Sequence, residues 1–404
     1  MLFPYLYRKD ILREFVRTLL LVIMILLFGI SAEAKEKPEE LYAQSAVLMD
    51  AATGRVLFEK DGDAKKAMAS TTKIMTCILA LEECELEEVV TFSEEACRQP
   101  EVHLNASLGE QFYLEDMLYS LMLESHNDVA VAIAECVSGS VENFAKLMNQ
   151  KAKEIGCENT YFITPNGLDA EDEKGFHSTT AKDLAKIMSY CIQKSTQKDR
   201  FLEITSKANH IFSNIEGDKT YSCTNHNSYL HMNTEAISGK TGYTGKAGYC
   251  YVGAVESEGR NFVVSLLACG WPNHKTYKWQ DMKEIITYAM DEFQLQEFPE
   301  DLGNETLHIV HGKTLDGLFG TAKVELEIQR EMSEVMIGKN ESIQMEIQVP
   351  EMKEAPIEEG EMVGKVIYKI ENENVAECPI VAKKSIKRID FWWIFSRMIE
   401  LYLK

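Results

Sequence analysis

The chain has 404 residues, of which 45% are hydrophobic and 26% are charged, and its formal net charge is −22 at pH 7. This length allows two or three domains with a sizeable core, and the composition excludes wholesale disorder. An acidic balance also argues against nonspecific binding to DNA or RNA, which needs a basic surface, so we expect no nucleic-acid partner.

Residues 1–34 have the pattern of a secretory signal peptide. A basic segment over residues 8–17 precedes an apolar run over residues 19–28, and an A-x-A sequence ends at Ala34. This order predicts cleavage after Ala34 and a mature chain that begins at Lys35 and works outside the cytoplasm. An uncleaved anchor is the alternative, but the run is shorter than the ~20 residues of a full membrane span.

Residues 35–297 are predicted to form an α+β domain. Residues 45–59 have the pattern of a β-hairpin with a turn at Asp50 and Gly54, and the apolar spacing after Ser70 is helical. The later predicted elements are helices within residues 115–137 with a break at residues 124–127, helices over residues 140–156 and 178–193, strands over residues 249–255 and 262–269, and a helix over residues 275–293. Strands at both ends with helices between them predict a mostly antiparallel sheet.

The sequence changes in character after residue 298. Short alternating strands over residues 324–328, 343–349 and 363–370 predict a small β-rich domain over residues 298–382. Residues 383–404 then combine a basic cluster with the sequence FWWIFSRMIELYLK, which is too short to cross a bilayer. We predict an amphipathic helix that lies in the headgroup region of a membrane, with docking on the protein's own core as the alternative.

The ten cysteines are scattered, with no C-x-x-C pair and no dense framework. Several lie in apolar runs, where cysteine behaves as a small hydrophobic residue, so we expect most of them in the core. The nine histidines show no H-E-x-x-H or other close metal spacing. We therefore expect no metal and no cofactor.

The S-x-x-K spacing occurs twice, which makes it weak evidence by itself. Ser70 and Lys73 lie in ASTTKIMT, ahead of a run of apolar residues. Ser195 and Lys198 have the same spacing in the polar sequence KSTQKDR, where we expect a solvated loop or helix end. Other motifs must decide whether Ser70 is a nucleophile.

Two such motifs follow Ser70 and Lys73 along the chain. Ser125-His126-Asn127 is the single S-x-N of the chain, in the predicted break between helices, and Lys240-Thr241-Gly242 is the single K-T-G. This set of three motifs, in this order, resembles the signature set of penicillin-binding proteins and class A β-lactamases. Lys73, three positions after Ser70 on one helix face, can reach the serine hydroxyl. If burial and Lys240 lower its pKa, its neutral amine can take the serine proton.

The remaining motif residues suit substrate binding and proton transfer. From a turn, Ser125 can relay a proton to the leaving amine and Asn127 can hold the substrate's amide. Lys240 and Thr241 can bind a carboxylate, and Gly242 lets a peptide lie close as an added strand.

The chain resembles low-molecular-mass penicillin-binding proteins, specifically serine-type D-alanyl-D-alanine carboxypeptidases, over nearly the whole mature chain. The motifs above, SAVLMDAATGRVLFEKD, TPNGLD, GKTGYTGKAGYCYVGA and APIEEGEMVGKVI carry the resemblance. It implies a penicillin-binding/β-lactamase-like transpeptidase fold, an acyl-enzyme on Ser70, and an oxyanion hole from the backbone N–H groups of Ser70 and Tyr243. It further implies a peptidoglycan pentapeptide substrate ending in D-Ala-D-Ala, inhibition by β-lactams, and a C-terminal anchor at the outer face of the cytoplasmic membrane. His126 stands where the family often has glycine.

Three other readings of the same motifs stay open. A class A β-lactamase would carry E-x-x-L-N after the S-x-N motif, whereas here the string lies before it, at residues 101–105, and we interpret it as a chance match. A peptidoglycan endopeptidase shares all three motifs. A non-catalytic protein that binds the wall or senses β-lactams would need a distorted site.

Overall fold

Strands and helices alternate up to residue 292, and strands predominate after it. The computed structural model describes residues 37–403, except residues 304, 315–320 and 331. In chain order the elements are β1 (Ser45–Asp50), β2 (Val56–Lys60), α1 (Lys73–Glu83), β3 (Val89–Thr91), α2 (Glu94–Cys97), β4 (Gln111–Tyr113), α3 (Leu114–Tyr119), α4 (Asn127–Ser138), α5 (Val141–Ile155), β5 (Glu171–Asp172), β6 (Gly175–Phe176), α6 (Ala181–Ser189), α7 (Lys198–Ser206), β7 (Asn209–Ser213), β8 (Thr220–Thr224), α8 (Tyr229–Met232), β9 (Ala236–Thr244), β10 (Gly248–Ser257), β11 (Arg260–Leu267), α9 (Tyr277–Glu292), β12 (Phe293–Glu297), β13 (Leu307–Val310), β14 (Ala322–Val324), β15 (Leu326–Ile328), β16 (Glu334–Gly338), β17 (Ile343–Gln348), β18 (Met352–Glu354), β19 (Met362–Ile370), β20 (Glu373–Ala382) and α10 (Phe391–Tyr402).

A five-stranded sheet joins the early and late parts of the chain. Its strand order is β2-β1-β11-β10-β9, and every neighbouring pair is antiparallel. β1 therefore pairs with β11, from Ser45 opposite Leu267 to Asp50 opposite Phe262. The antiparallel sheet of an α+β fold that the sequence predicts is confirmed, and it leaves β9 as an edge strand.

Both faces of this sheet are buried. Val47 and Met49 of β1 face a core that contains α1, α4 and α6, whereas Ala46 and Leu48 face a second core built with α9. This follows from the alternation of side chains along a strand. α1 is buried over its whole length up to Leu81, so the helix that begins at Lys73 passes through the centre of the first core.

The predicted break between helices at residues 124–127 is present. α3 continues into a π-helical turn, Ser120–Glu124, and α4 begins at Asn127. Helix α7 and the hairpin of β7 and β8 have no counterpart in the predicted elements. They were missed because their apolar residues are few and widely spaced.

The Ser195 segment differs from its sequence expectation. Ser195 does end a helix, since it caps the π-helical turn Tyr190–Lys194. It is buried rather than solvated, and its hydroxyl donates to Glu82 Oε1 at 2.5 Å. Glu82 also accepts from Tyr190 and pairs with Lys151, so a polar cluster takes Ser195 out of the solvent.

Residues beyond β12 form small sheets around a third apolar core, as the predicted β-rich region requires. The single strand predicted over residues 324–328 is divided at Glu325, because β14 pairs with β13 while β15 pairs with β20. β12 pairs with β16, and residues from 37 onward form one compact unit. The domain limits at residues 297 and 382 accordingly stay predictions.

The C-terminal helix α10 is exposed along its length, with none of its residues buried. Within the described residues, no helix is long and apolar enough to cross a membrane. The predicted signal peptide, residues 1–34, lies outside the described residues.

The cysteines follow the expectation for core residues. Apart from Cys84, Cys97 and Cys136, all are buried.

Candidate active site

Ser70 and Lys73 lie where a tight turn becomes a helix. Ser70 belongs to the 3₁₀ turn Ala69–Thr72, and Lys73 is the first residue of α1. Three positions apart on a helical path, the two side chains share one face, and Lys73 Nζ lies 3.0 Å from Ser70 Oγ. The first sequence motif is therefore a real contact, whereas Ser195 is bonded to Glu82 instead.

The Lys73 amine is fully enclosed by groups that orient it. Nζ donates to Asn127 Oδ1 at 2.8 Å and to the carbonyl oxygen of Asn166 at 2.7 Å. Burial, and then the charge of Lys240, holds the Lys73 pKa well below its usual range, with Asp128 acting weakly in the opposite direction. Lys73 is therefore favoured as a neutral amine, which has two N–H groups and one lone pair.

The orientation of Asn127 fixes where that lone pair points. Asn127 Nδ2 donates to the carbonyl oxygens of Pro100 at 3.1 Å and Glu101 at 3.2 Å, so its Oδ1 is the atom that faces Lys73. Both N–H groups of Lys73 are then used on oxygens that can only accept. The lone pair is left for the Ser70 hydroxyl, which is the geometry of a general base.

Ser125 follows the π-helical turn with a φ of 68° and lines the same cleft as Ser70 and Lys240. Its Oγ is buried and has no hydrogen-bond partner among the described residues. Asn127, by contrast, has both side-chain atoms bonded to the protein. The role predicted for Asn127 in holding the substrate's amide stays a prediction.

The K-T-G sequence lies on the edge strand β9. Lys240 is buried, which lowers its pKa to about 7, and its Nζ donates to the Thr241 carbonyl oxygen at 3.2 Å. A Cβ on Gly242 would come within 2.8 Å of the Ser70 backbone nitrogen. Glycine is thus required for β9 to pass directly beside Ser70, and Tyr243 follows immediately on the strand.

The cleft between the helices and β9 measures about 490 Å³ and has a basic end. Lys275 and Lys278 line that end together with Trp279. Burial lowers the pKa of Lys278 to about 8, and its amine lies 4.6 Å from the centre of the Trp279 ring. A basic, partly aromatic wall suits a substrate that carries a carboxylate.

Several residues of this site were not singled out from the sequence. The carbonyl of Asn166, the amide of Asn227 and the amine of Lys278 all reach the site through contacts distant in sequence. Asn166 belongs to the TPNGLD sequence, which was noted for resemblance alone. No local pattern marks the other two.

The E-x-x-L-N string at residues 101–105 lies beside the site. The backbone N–H of Asn127 donates to Val102 O at 2.7 Å, and Asp128 accepts from the backbone N–H groups of Leu104 and Asn105. The Glu101 side chain itself is exposed. Its interpretation as a chance match is not tested by this placement.

Among residues 37–403, apart from the gaps already noted, no group of three or more His, Cys, Asp or Glu side chains could hold a metal ion.

A serine hydroxyl that faces a buried lysine amine beside an edge strand is an arrangement that suits nucleophilic catalysis by a serine hydrolase. Residues 31–268 match the D-alanyl-D-alanine carboxypeptidase family, and residues 320–388 match the C-terminal domain of penicillin-binding protein 5. The chain is 30% identical to D-alanyl-D-alanine carboxypeptidase DacF of Bacillus subtilis, over 97% of this chain and 100% of that protein. This chain therefore belongs to the D-alanyl-D-alanine carboxypeptidase family of serine-type hydrolases.

Two further similarities limit the alternatives. The solved structure of penicillin binding protein 5 from Haemophilus influenzae has the same fold, with 24% identity and a TM-score of 0.68 over 87% of this chain and 100% of that one. A D-alanyl-D-alanine endopeptidase of Pseudomonas aeruginosa is 29% identical, but over 53% of this chain and 67% of that protein. The carboxypeptidase similarity thus extends over both halves of the chain, and the endopeptidase similarity does not.

Proposed function

We propose that this protein is a serine D-Ala-D-Ala carboxypeptidase that removes the terminal D-alanine from peptidoglycan pentapeptide stems through an acyl-enzyme on Ser70. The bonding of Lys73 carries the proposal, because its two N–H groups meet fixed acceptors while its lone pair faces the Ser70 hydroxyl. β-Lactams, whose strained amide resembles the scissile bond, would acylate the same serine.

In acylation, Lys73 takes the Ser70 proton as Oγ attacks the carbonyl carbon of the penultimate D-alanine. The backbone N–H groups of Ser70 and Tyr243 would bind the oxyanion. The C–N bond then breaks, and the leaving amine of D-alanine receives a proton from Ser125, which regains one from Lys73. Lys73 is neutral again at the end of this step.

In deacylation, a water molecule replaces the amine. Lys73 takes a proton from the water as its oxygen attacks the ester carbonyl, and the Ser70–acyl bond breaks. Ser70 Oγ then recovers a proton from Lys73, which frees the shortened peptide. The same base serves both steps because its neutral form is restored each time.

Substrate recognition would use β9 and the basic end of the cleft. Lys240 and Thr241 are proposed to bind the terminal carboxylate, and Asn127 remains a candidate for the substrate's amide. An extended peptide can pair with the free edge of β9 as an added strand.

Labelling with a fluorescent penicillin tests the assignment of the nucleophile. We expect Ser70→Ala to abolish labelling and release of D-alanine, whereas Ser195→Ala should be labelled at the normal rate. Ser195 is a matched control because it has the same S-x-x-K spacing. Labelling of the Ser70→Ala protein would refute the acyl-enzyme on Ser70.

We further propose that the enzyme works outside the cytoplasm, held at the outer face of the cytoplasmic membrane by α10. Exposed aromatic side chains on this helix, including Phe391, Trp392 and Phe395, support the proposal. Basic residues at positions 383–388 precede the helix and suit an anionic lipid surface.

A further inference from the structure

Ser125 lacks any support from its own side chain. Its Oγ has no hydrogen-bond partner among the described residues, and its backbone has a φ of 68°, in the left-handed region. A residue other than glycine stays in that region when its surroundings hold it there. The anchors of Ser125 must therefore lie in its neighbours.

Glu124 provides one anchor, on the opposite wall of the cleft. Its Oε1 accepts from the backbone N–H of Thr224 at 2.6 Å, and its Oε2 lies 2.7 Å from His226 Nε2. The backbone N–H of His226 also donates to Leu123 O at 3.3 Å. Three bonds thus connect the π-helical turn before Ser125 to the last residue of β8 and to the segment that follows it.

That segment is itself fixed. Asn225 Nδ2 donates to the carbonyl oxygens of Thr205 and Lys207, each at 2.9 Å. Asn227 Oδ1 accepts from the buried hydroxyl of Tyr251 at 3.1 Å, which ties the segment to the central sheet. Glu124 is therefore bonded to a fixed part of the protein, and these bonds would have to break if Ser125 moved away from its position.

His126 provides a second anchor on the other side. It is buried, and its Nδ1 lies 2.7 Å from the Oγ of Ser120, six residues earlier at the start of the π-helical turn. Ser125 is thus held between two anchored neighbours, of which Glu124 is the one that spans the cleft.

We propose that Glu124 is a positioning residue for Ser125: its carboxylate holds Ser125 in the left-handed conformation that directs Oγ towards the leaving nitrogen. This inference rests on the proposed role of Ser125 as the proton relay. It assigns Glu124 no contact with the reacting atoms, so its effect should follow that of Ser125.

The leaving group distinguishes this role from general support of the fold. When an amide C–N bond breaks, the amine must receive a proton, whereas a thiolate can leave a thioester without one. A displaced Ser125 should therefore slow the hydrolysis of an amide far more than that of a thioester with the same acyl group. Loss of stability alone would lower both rates together.

The test compares Ser125→Ala, Glu124→Ala and Glu124→Gln by kcat/KM on an acyl-D-Ala-D-Ala peptide and on the matching thioester. Glu124→Ala should reduce the amide reaction at least about tenfold, and by no more than the 10²–10⁴-fold typical of losing the proton-transfer group itself, and it should leave the thioester reaction nearly unchanged. Glu124→Gln should restore most of the amide activity, since its amide oxygen can still accept from Thr224.

Glu110→Ala is the matched control. Glu110 also accepts several bonds, from Ser107, Asn214, Lys219 and Tyr221, but it lies outside the cleft. We expect a lower melting temperature and an unchanged amide-to-thioester ratio.

Each outcome decides the question. If Ser125→Ala is selective for the amide and Glu124→Ala lowers both reactions equally, or neither, Glu124 is not a positioning residue. If Ser125→Ala shows no selectivity, the proton relay itself is wrong, and the inference falls with it. Selective loss in Glu124→Ala with recovery in Glu124→Gln supports the proposal.

Discussion

Lys73 shows how the surroundings of one residue determine its chemistry. A lysine in water is charged at neutral pH and cannot accept a proton. Here burial and the nearby Lys240 favour the neutral form, and Asn127 and Asn166 take both N–H groups. We propose that enclosure and orientation together make Lys73 the base.

Replacing Lys73 by arginine tests this account. Arginine keeps the positive charge but does not readily deprotonate, so acylation by penicillin should fall by roughly 10²–10⁴-fold. Lys73→Met, which buries no charge, should fail equally while keeping the fold. Stopped-flow acylation rates and circular dichroism measure the two properties, and near-normal acylation in either folded variant would assign the base elsewhere.

His177 contacts the 3₁₀ turn Ala69–Thr72, which contains Ser70. Its Nδ1 accepts from the backbone N–H groups of Ile163 at 3.0 Å and Thr164 at 3.3 Å, and its Nε2 meets Thr72 Oγ1 at 2.8 Å. Burial lowers its pKa from 6.5 to about 3. A proton on Nδ1 would remove the acceptor for these two backbone N–H groups and would point at them.

We therefore expect His177 to make the protein sensitive to mild acid. The pKa of His177 is lower in the folded state than in the unfolded state, so the unfolded state binds one more proton at mildly acidic pH. The free energy of unfolding therefore has its maximum contribution from His177 above about pH 6.5. Below that it should fall by about 1.4 kcal/mol per pH unit for this one proton, towards pH 3. Thermal melts between pH 7 and 4 should show a shallower decline for His177→Asn than for the wild type, and equal declines would contradict the assignment.

The proposed reactive residues could be singled out from sequence because they lie in short motifs, and the structure places them around one cleft. Ser70, Ser125 and Lys240 are marked by spacing and by their order along the chain. Asn166 and Glu124 could not be found in this way, because their partners are distant in sequence and the contacts exist only after the chain has folded.

At the scale of single elements, β9 forms one wall of the site directly beside Ser70. It is an edge strand of the sheet, and it passes close to the 3₁₀ turn that contains Ser70. A Cβ on Gly242 would lie 2.8 Å from Ser70 N and 3.1 Å from Thr71 N. Both obstacles are backbone atoms, which cannot rotate away. A side chain at this position must displace either the strand or Ser70.

Gly242→Ala should accordingly reduce acylation on the order of 10²-fold, the loss expected when a reacting group is misplaced by about 1 Å. Gly245→Ala is the matched control on the same hairpin, because a Cβ there meets nothing within 4 Å. Penicillin acylation rates for both variants provide the measurement. Equal rates would mean that β9 can move away from Ser70 at little cost.

Elements with a regular hydrophobic period were predicted well. α5 and α9 lie within about two residues of their predicted limits. The π-helical turn before Ser125 and the division of residues 324–328 between two sheets were not foreseen. Both depend on which partner a segment meets, which periodicity does not encode.

At the scale of the whole molecule, the β-rich region connects the active-site part to α10. Arg55 forms a bidentate ion pair with Glu341, and it also donates to Met336 O at 3.3 Å. Further along, Ile386 pairs with Ile357, so residues near 386 belong to the β-rich region rather than to a free tail. A truncation that keeps this region intact should therefore begin at Phe391.

Deleting residues 391–404 should release an active enzyme from the membrane. Each basic residue near an anionic surface contributes roughly 1 kcal/mol of salt-sensitive binding, and burial of the aromatic face adds a part that salt does not remove. Full-length mature protein should thus sediment with anionic liposomes even at high salt, whereas the truncated form, which keeps only the basic residues at positions 383–388, should stay in solution at high salt. Equal sedimentation of both forms would show that α10 is not the anchor.

The pairing of β1 with β11 also determines how much of the chain must be synthesised before the active site can form. Ser45 pairs with Leu267, more than two hundred residues later, and the K-T-G sequence lies on β9, another late strand of the same sheet. Pairings this distant in sequence make folding slow, because a long loop must close before the contacts form. A growing chain therefore carries its serine and lysine for most of its synthesis as inert residues, and it becomes an enzyme when its last central strands are in place.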